Sequence, residues 1–216
     1  MIPRGLQVVA FLVLLQGIVV KAQFVEGRVD LPKPEDQQLV ASRYQSNPQT
    51  QAQPADVPCA VVYLEGNLPK SSNRTSAVAE VEQKNISFSP GLLAIRAGTT
   101  VEFPNLDDTY HNVFSYSKTK RFDLGRYRKG EKAGSVLFDK PGLVTLHCEI
   151  HASMRATILV FDNPYFEKTD PHGSYRLGPI PPGHYLLKAW VNEDDIRVRP
   201  VDIAQDGTLH VDFPGK

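Results

Sequence analysis

The chain has 216 residues, in which 24 Lys and Arg balance 24 Asp and Glu, and 41% of its residues are hydrophobic. This composition is typical of a soluble globular protein and argues against a disordered chain, a coiled coil and a multi-span membrane protein. The balanced charge lacks the basic excess typical of nucleic-acid binding, so we expect no nucleic-acid partner.

The first 22 residues have the layout of a secretory signal peptide. Arg4 supplies a positive start, residues 8–20 are mostly apolar, and Val20 and Ala22 stand at the positions that precede a cleavage site. The apolar run is shorter than the roughly 20 residues that span a bilayer. We therefore predict a signal peptide at 1–22, a periplasmic or secreted protein, and no membrane span after cleavage. An uncleaved anchor is the alternative.

Short apolar or alternating segments between Pro and Gly turns predict β-strands along the rest of the chain. Loops are predicted at 32–58, which is rich in Pro, and at 67–84, which is polar. The Asp206-Gly207 dipeptide predicts a hairpin between the last two strands. Many short strands and no confident helix predict an all-β chain built of sandwiches or a barrel. The predicted strands are 24–31, 60–66, 86–88, 93–95, 99–103, 113–116, 134–138, 142–148, 155–161, 173–177, 184–190, 197–203 and 208–213.

One stretch carries the residues of a metal centre. Cys148, His151 and Met154 follow a predicted strand within seven residues, Met154 is the only methionine after Met1, and His111 lies upstream. Two His, one Cys and a weak axial Met are the ligand set of a type 1 (blue) copper site. Sulfur ligands favour reduced copper, and imidazole suits both redox states. Because a near-trigonal frame with a weak axial ligand also suits both states, the coordination geometry changes little when the copper gains or loses one electron. We therefore predict one type 1 copper, held by His111, Cys148, His151 and Met154, in an electron carrier rather than an enzyme.

The same residues allow a structural interpretation. Cys148 could form a disulfide with Cys59 or lie buried in a strand, with His151 on the surface and Met154 in the core. If Cys148 binds copper, Cys59 has no partner within the chain, and we expect it to be buried. His147 precedes Cys148 on the same strand and should face away from the metal.

Residues 84–162 resemble the cupredoxin family, which includes plastocyanin and amicyanin. The likeness rests on residues 86–90 and 97–105, on His111-Asn112-Val113, and on the Cys-x-x-His-x-x-Met spacing from Cys148 to Met154. The resemblance implies a Greek-key β-sandwich with copper at one end. It also implies that Asn112 braces the site through a hydrogen bond and that electrons pass through the exposed edge of His151 to a redox protein partner.

Two features depart from that family. Glu149 places a carboxylate beside the candidate ligand Cys148, and residues 118–132 form a long charged insert that could cover or extend the site. A related group of red-copper proteins uses a carboxylate ligand and leaves room for a small molecule. Glu149 or Glu131 could supply that ligand, which leaves a small-molecule copper enzyme as an alternative.

Residues 169–187 resemble a second family, the carboxypeptidase regulatory-like domain, which is a small transthyretin-like β-sandwich. The segments around Gly27 and at 60–66 are similar to its opening strands, although they lie on the other side of the copper segment. The resemblance implies a discontinuous domain of 23–66 and 167–216 with the cupredoxin inserted; a linear order is the alternative. Its aromatic residues are expected to lie in a core. These are Tyr175, Tyr185 and Trp190.

The family role of this second domain implies another function for the whole chain, a copper-binding scaffold or interaction protein. The complete arrangement also resembles exported, plastocyanin-like proteins of methylamine utilization. Neither resemblance names a redox partner or an oligomeric state.

Overall fold

A computed structural model describes residues 23–32, 58–68, 77–132 and 134–215. The predicted signal peptide at 1–22 and nearly all of the predicted loop at 32–58 lie outside the described residues. Within the described ranges, no helix has the length and hydropathy needed to cross a membrane.

The prediction of an all-β chain is confirmed. The described residues form strands joined by turns and loops, and none of these residues is helical. In chain order the strands are β1 (Gln23–Arg28), β2 (Val61–Glu65), β3 (Val78–Glu80), β4 (Glu82–Gln83), β5 (Phe88–Ser89), β6 (Leu92–Arg96), β7 (Thr99–Phe103), β8 (His111–Tyr116), β9 (Arg121–Tyr127), β10 (Gly134–Phe138), β11 (Gly142–His147), β12 (Arg155–Phe161), β13 (Phe166–Lys168), β14 (Ser174–Ile180), β15 (Gly183–Asn192), β16 (Asp195–Ile203) and β17 (Gly207–His210).

Strands β3 to β12 form what we call the inner sandwich. One sheet has the order β10-β7-β3 and the other the order β6-β12-β11-β8-β9, and a short β4-β5 pair lies alongside. Alternate residues of these strands point inward, as in Thr99–Phe103, where Thr99, Val101 and Phe103 are buried. The inward residues of the two sheets share one apolar core, which includes Phe103, Phe138, Leu146 and Ile158.

The remaining strands form what we call the outer sandwich. Its sheets have the orders β14-β1-β17 and β13-β2-β15-β16, so strands from both ends of the described chain share one structure. Val25, Leu64, Leu187 and Phe213 belong to its core. The aromatic residues expected in a core, Tyr175, Tyr185 and Trp190, are buried as predicted.

The two sandwiches contact each other through the outer faces of one sheet from each. Val61 and Trp190 of the outer sandwich pack with Leu92 and Leu159 of the inner sandwich in a third apolar cluster. The ammonium of Lys168 also donates to the carbonyl of Leu92 at 3.1 Å. Burial of apolar side chains between these two sheet faces therefore holds the inner and outer sandwiches together.

Two sequence predictions are wrong in detail. Strands β3 and β4 lie within the predicted loop at 67–84, and the Asp206-Gly207 hairpin is absent from the described residues; β9, within the charged insert at 118–132, is a strand for which no prediction was made. The Asp206-Gly207 turn does not close a hairpin, because β16 pairs with β15 while β17 pairs in parallel with β1 in the other sheet. Because the chain crosses from one sheet to the other after β16, Phe213 can bury its ring in the core of the outer sandwich. The Asp206-Gly207 dipeptide alone contains no information about this distant contact.

The core of the inner sandwich contains a phenol whose environment predicts alkaline sensitivity. Tyr127 donates its hydroxyl hydrogen to the carbonyl of Phe103 at 2.6 Å and accepts a hydrogen bond from Gln83 at 2.7 Å. Burial raises the pKa of Tyr127 to about 12, although the hydrogen bond from Gln83 acts in the opposite direction.

We expect the free energy of unfolding to fall as the pH rises from about 10 to about 12, because the unfolded phenol ionises near its ordinary pKa while the folded one keeps its proton. Urea denaturation over this range should show a shallower fall for Tyr127→Phe than for the wild type. Tyr116→Phe, at an exposed position, is the control and should keep the wild-type slope. Equal slopes for the wild type and Tyr127→Phe would contradict this expectation.

Candidate metal centre

The candidate ligands meet at one end of the inner sandwich because of strand direction. His111 is the first residue of β8, and Cys148 follows the last residue of β11. These strands are antiparallel, so the start of one adjoins the end of the other. The loop from β11 to β12 carries His151 and Met154, and the N–H of Met154 donates to the carbonyl of His151 at 2.9 Å, which tightens the loop.

His111, Cys148 and His151 come together in a group of the size that holds a metal ion. One potential ligand atom from each residue lies within 4.8 Å of the other two. The Nδ1 atoms of His111 and His151 are 3.0 Å apart, and their rings lie nearly edge to face. Two nitrogens at that separation can each lie about 2.0 Å from one ion, the usual length of a bond from imidazole nitrogen to a divalent metal.

The donors of this group differ in their access to solvent. His111 and Cys148 are buried, while His151 is half-buried and so places an edge at the surface. Met154 is 1% exposed and packs in the same core cluster as Cys148. The site is thus enclosed by the protein except near His151.

Asp107 contacts His111 on the side away from His151. Its Oδ2 lies 2.9 Å from Nε2 of His111. Burial raises the pKa of Asp107, but hydrogen bonds from the Ile86 N–H, from His111 and from the Asn85 N–H outweigh it and hold the pKa below its usual range. Sequence reasoning missed this residue, although a carboxylate four positions before a candidate ligand was a signal that could have identified it.

Asn112 makes the bracing contact that the cupredoxin resemblance implies. Its side chain is buried, and its Oδ1 accepts the N–H of Glu149 at 2.8 Å. Since Glu149 follows Cys148, this hydrogen bond ties the start of the ligand loop to β8.

The two carboxylates considered as alternative ligands lie outside the group. Glu149 accepts hydrogen bonds from the guanidinium of Arg126, and Glu131 pairs with Arg128. The charged insert therefore approaches the site through Arg126, but its contact is with the carboxylate of Glu149. In this geometry neither glutamate acts as a fourth donor beside His111, Cys148 and His151.

The neighbouring residues fit a site that keeps its thiol available. Neither Cys59 nor Cys148, both among the described residues, forms a disulfide, so the alternative of a disulfide between them is wrong. Cys59 is half-buried against the cluster between the sandwiches rather than fully buried as expected. His147 packs against Phe114, with ring centroids 5.6 Å apart, and is not part of the ligand group.

The half-buried His151 is favoured in its neutral form. Burial lowers its pKa, the nearby His111 lowers it further, and Asp107 opposes them. A neutral imidazole keeps a nitrogen lone pair that can bind a metal.

Comparisons with known protein families and with curated proteins gave no match. Among solved structures, the chain is similar to a copper-containing nitrite reductase from Thermus scotoductus SA-01, at 31% identity and a TM-score of 0.36 over 38% of this chain and 22% of that one. It spans about a fifth of the reductase. It is also similar to a purple cupredoxin from Nitrosopumilus maritimus, at 23% identity and a TM-score of 0.35 over 38% of this chain and 99% of that one. An amicyanin variant in the Cu(I) state matches at 20% identity and a TM-score of 0.37 over 46% of this chain and 98% of that one. These TM-scores are too low to carry a functional assignment, which therefore depends on the geometry of the site.

Proposed function

We propose that this protein binds one copper ion in a type 1 site and transfers single electrons between redox partners. The observation that carries the proposal is the convergence of His111, Cys148 and His151 at the enclosed end of the inner sandwich. Two imidazoles and a thiolate are the trigonal donor set of blue copper sites.

Met154 is proposed as the weak axial ligand. Its side chain is buried in the same cluster as Cys148, and its loop returns toward the site through the hydrogen bond to the His151 carbonyl. A thioether at a longer distance completes the set without taking a strong coordination position. When bound, the copper supplies a one-electron redox couple. The proposed ligand set leaves no strong coordination position for a substrate.

The site geometry favours an electron carrier over a small-molecule enzyme. An enzyme needs a coordination position that substrate can occupy, and the carboxylates that could mark one are paired with arginines. His151 is the donor nearest to solvent, so we propose that a redox protein partner docks against its edge.

The predicted location and domain division are part of the same proposal. The pattern at 1–22 supports export to the periplasm or beyond, where the protein would receive its copper. The sheet orders support an outer domain of 23–66 and 167–216 with a copper domain of 84–162 inserted in it. We assign the outer domain to the carboxypeptidase regulatory-like family on its sequence resemblance, with a role in scaffolding.

Copper loading of the purified protein tests the proposal. We expect one copper per chain by elemental analysis, an intense visible band from the thiolate, narrow hyperfine splitting in the spin-resonance spectrum and reversible one-electron reduction. A protein that stays folded and colourless after loading would contradict the proposal and favour a scaffold. Binding of an added anion such as azide to the oxidised copper would contradict it in favour of an enzyme.

A further inference from the structure

Asp107 is held by a cage of backbone donors beside the metal centre. The N–H of Asn85 donates to its Oδ1 at 2.8 Å, and the N–H of Ile86 donates to its Oδ2 at 2.9 Å. Both of these residues have positive φ angles, 54° and 58°, so their successive N–H groups converge on one anion. The N–H of Asp107 itself donates to Oδ1 of Asn105 at 2.9 Å. The carboxylate is therefore fixed in both position and orientation.

The fixed carboxylate assigns the proton of His111. Oδ2 of Asp107 lies 2.9 Å from Nε2 of this fully buried imidazole. An ionised carboxylate only accepts hydrogen bonds, so Nε2 of His111 is the donor in this contact. Nδ1, on the other side of the ring, is thereby directed toward His151.

The same contact fixes which nitrogen of His111 faces the candidate ligand group. Nδ1 of His111 lies 3.0 Å from Nδ1 of His151, a separation at which both atoms can hold one ion. A His111 ring in the opposite orientation would lose its contact with Asp107 and would not present Nδ1 to His151.

We propose that Asp107 is a positioning residue that orients His111 in the metal centre. Its caged carboxylate accepts the hydrogen on Nε2 of this buried ring, and the opposite nitrogen, Nδ1, is thereby held toward His151. Asp107 thus keeps Nδ1 of His111 in place for a metal ion.

The consequence for copper affinity rests on the proposed function, whereas the orientation of the His111 ring does not. The neighbouring Asp108 offers a matched control, since its side chain is 96% exposed and its ion pair is with Lys129, at 3.9 Å. Asp107→Asn and Asp108→Asn remove the same charge at adjacent positions, but only the first changes a contact with His111.

Nitrogen NMR of ¹⁵N-histidine-labelled metal-free protein tests the assignment directly. We expect His111 to be protonated on Nε2 in the wild type and in Asp108→Asn. Titration with Cu(II) should then show an affinity about 10–100-fold lower for Asp107→Asn, the usual effect of removing an outer partner of a ligating histidine, and an unchanged affinity for Asp108→Asn.

A wild-type His111 that carries its proton on Nδ1 would overturn the proposal, even if Asp107→Asn does not fold. Equal copper affinities for the two variants would overturn it as well. If His111 carries its proton on Nε2 in the wild type but the protein binds no copper, the proposed function fails while the role of Asp107 in orienting His111 stands.

Discussion

Replacing Cys148 with serine is expected to abolish the intense visible band of the copper-loaded protein. That band requires charge transfer from a thiolate, and a serine hydroxyl does not supply one. The substitution changes one atom at a buried position beside His111 and His151, so the apolar core around it is kept. The absorption spectrum and copper content measured side by side check this expectation.

The second cysteine provides the control for this experiment. Cys59 packs in the cluster between the two sandwiches, outside the group formed by His111, Cys148 and His151. Cys59→Ser should therefore keep both the band and the bound copper. A band that survives in Cys148→Ser, or one that disappears in Cys59→Ser, would show that Cys148 is not the thiolate ligand.

Replacing Phe103 with alanine is expected to lower the free energy of unfolding by about 3–5 kcal/mol. The ring is fully buried at the centre of the inner sandwich, and its centroid lies 5.9 Å from that of Phe122. Truncation removes apolar contacts and leaves a cavity that the sheets around it cannot fully close. Urea denaturation of the metal-free variant, followed by circular dichroism, measures the loss.

An exposed apolar residue serves for comparison. Val78 is 64% exposed on β3, which pairs with β7, the strand that carries Phe103. Val78→Ala should change the free energy of unfolding by about 0.5 kcal/mol. If Phe103→Ala lowers the free energy of unfolding by as little as Val78→Ala does, the packing described for the inner sandwich is wrong.

The grouping of Cys148 with His151 could be predicted because the two residues lie in one loop. His147, which strand alternation predicted to face away, packs against Phe114 and is outside the group, and the role of Met154 as a ligand stays a prediction. His111 required only the expectation that the start of β8 adjoins the end of β11. The cage around Asp107 could not be predicted, because it depends on positive φ angles at Asn85 and Ile86, and a β-branched residue rarely adopts that conformation.

The strands were predictable where apolar residues dominate the segment. β12 matches its predicted bounds, since five of its seven residues are apolar, whereas β9 is rich in charge and exposes most of its residues. β9 lies at the edge of its sheet, where charged side chains are common and the pattern of burial is weak. The parallel pairing of β17 with β1 joins segments that are far apart in the sequence, so no local pattern of residues could predict it.

That pairing has a consequence for the order in which the chain can fold as it leaves the ribosome. Strand β1 is made early, but its partners β14 and β17 are made late, and Arg28 is hydrogen-bonded to Asp212, 184 residues away. The inner sandwich finds all its strand partners between residues 78 and 161. Vectorial synthesis therefore allows the metal-binding part to close first. Meanwhile β1 keeps an open edge that must be protected from aggregation until the last strand emerges.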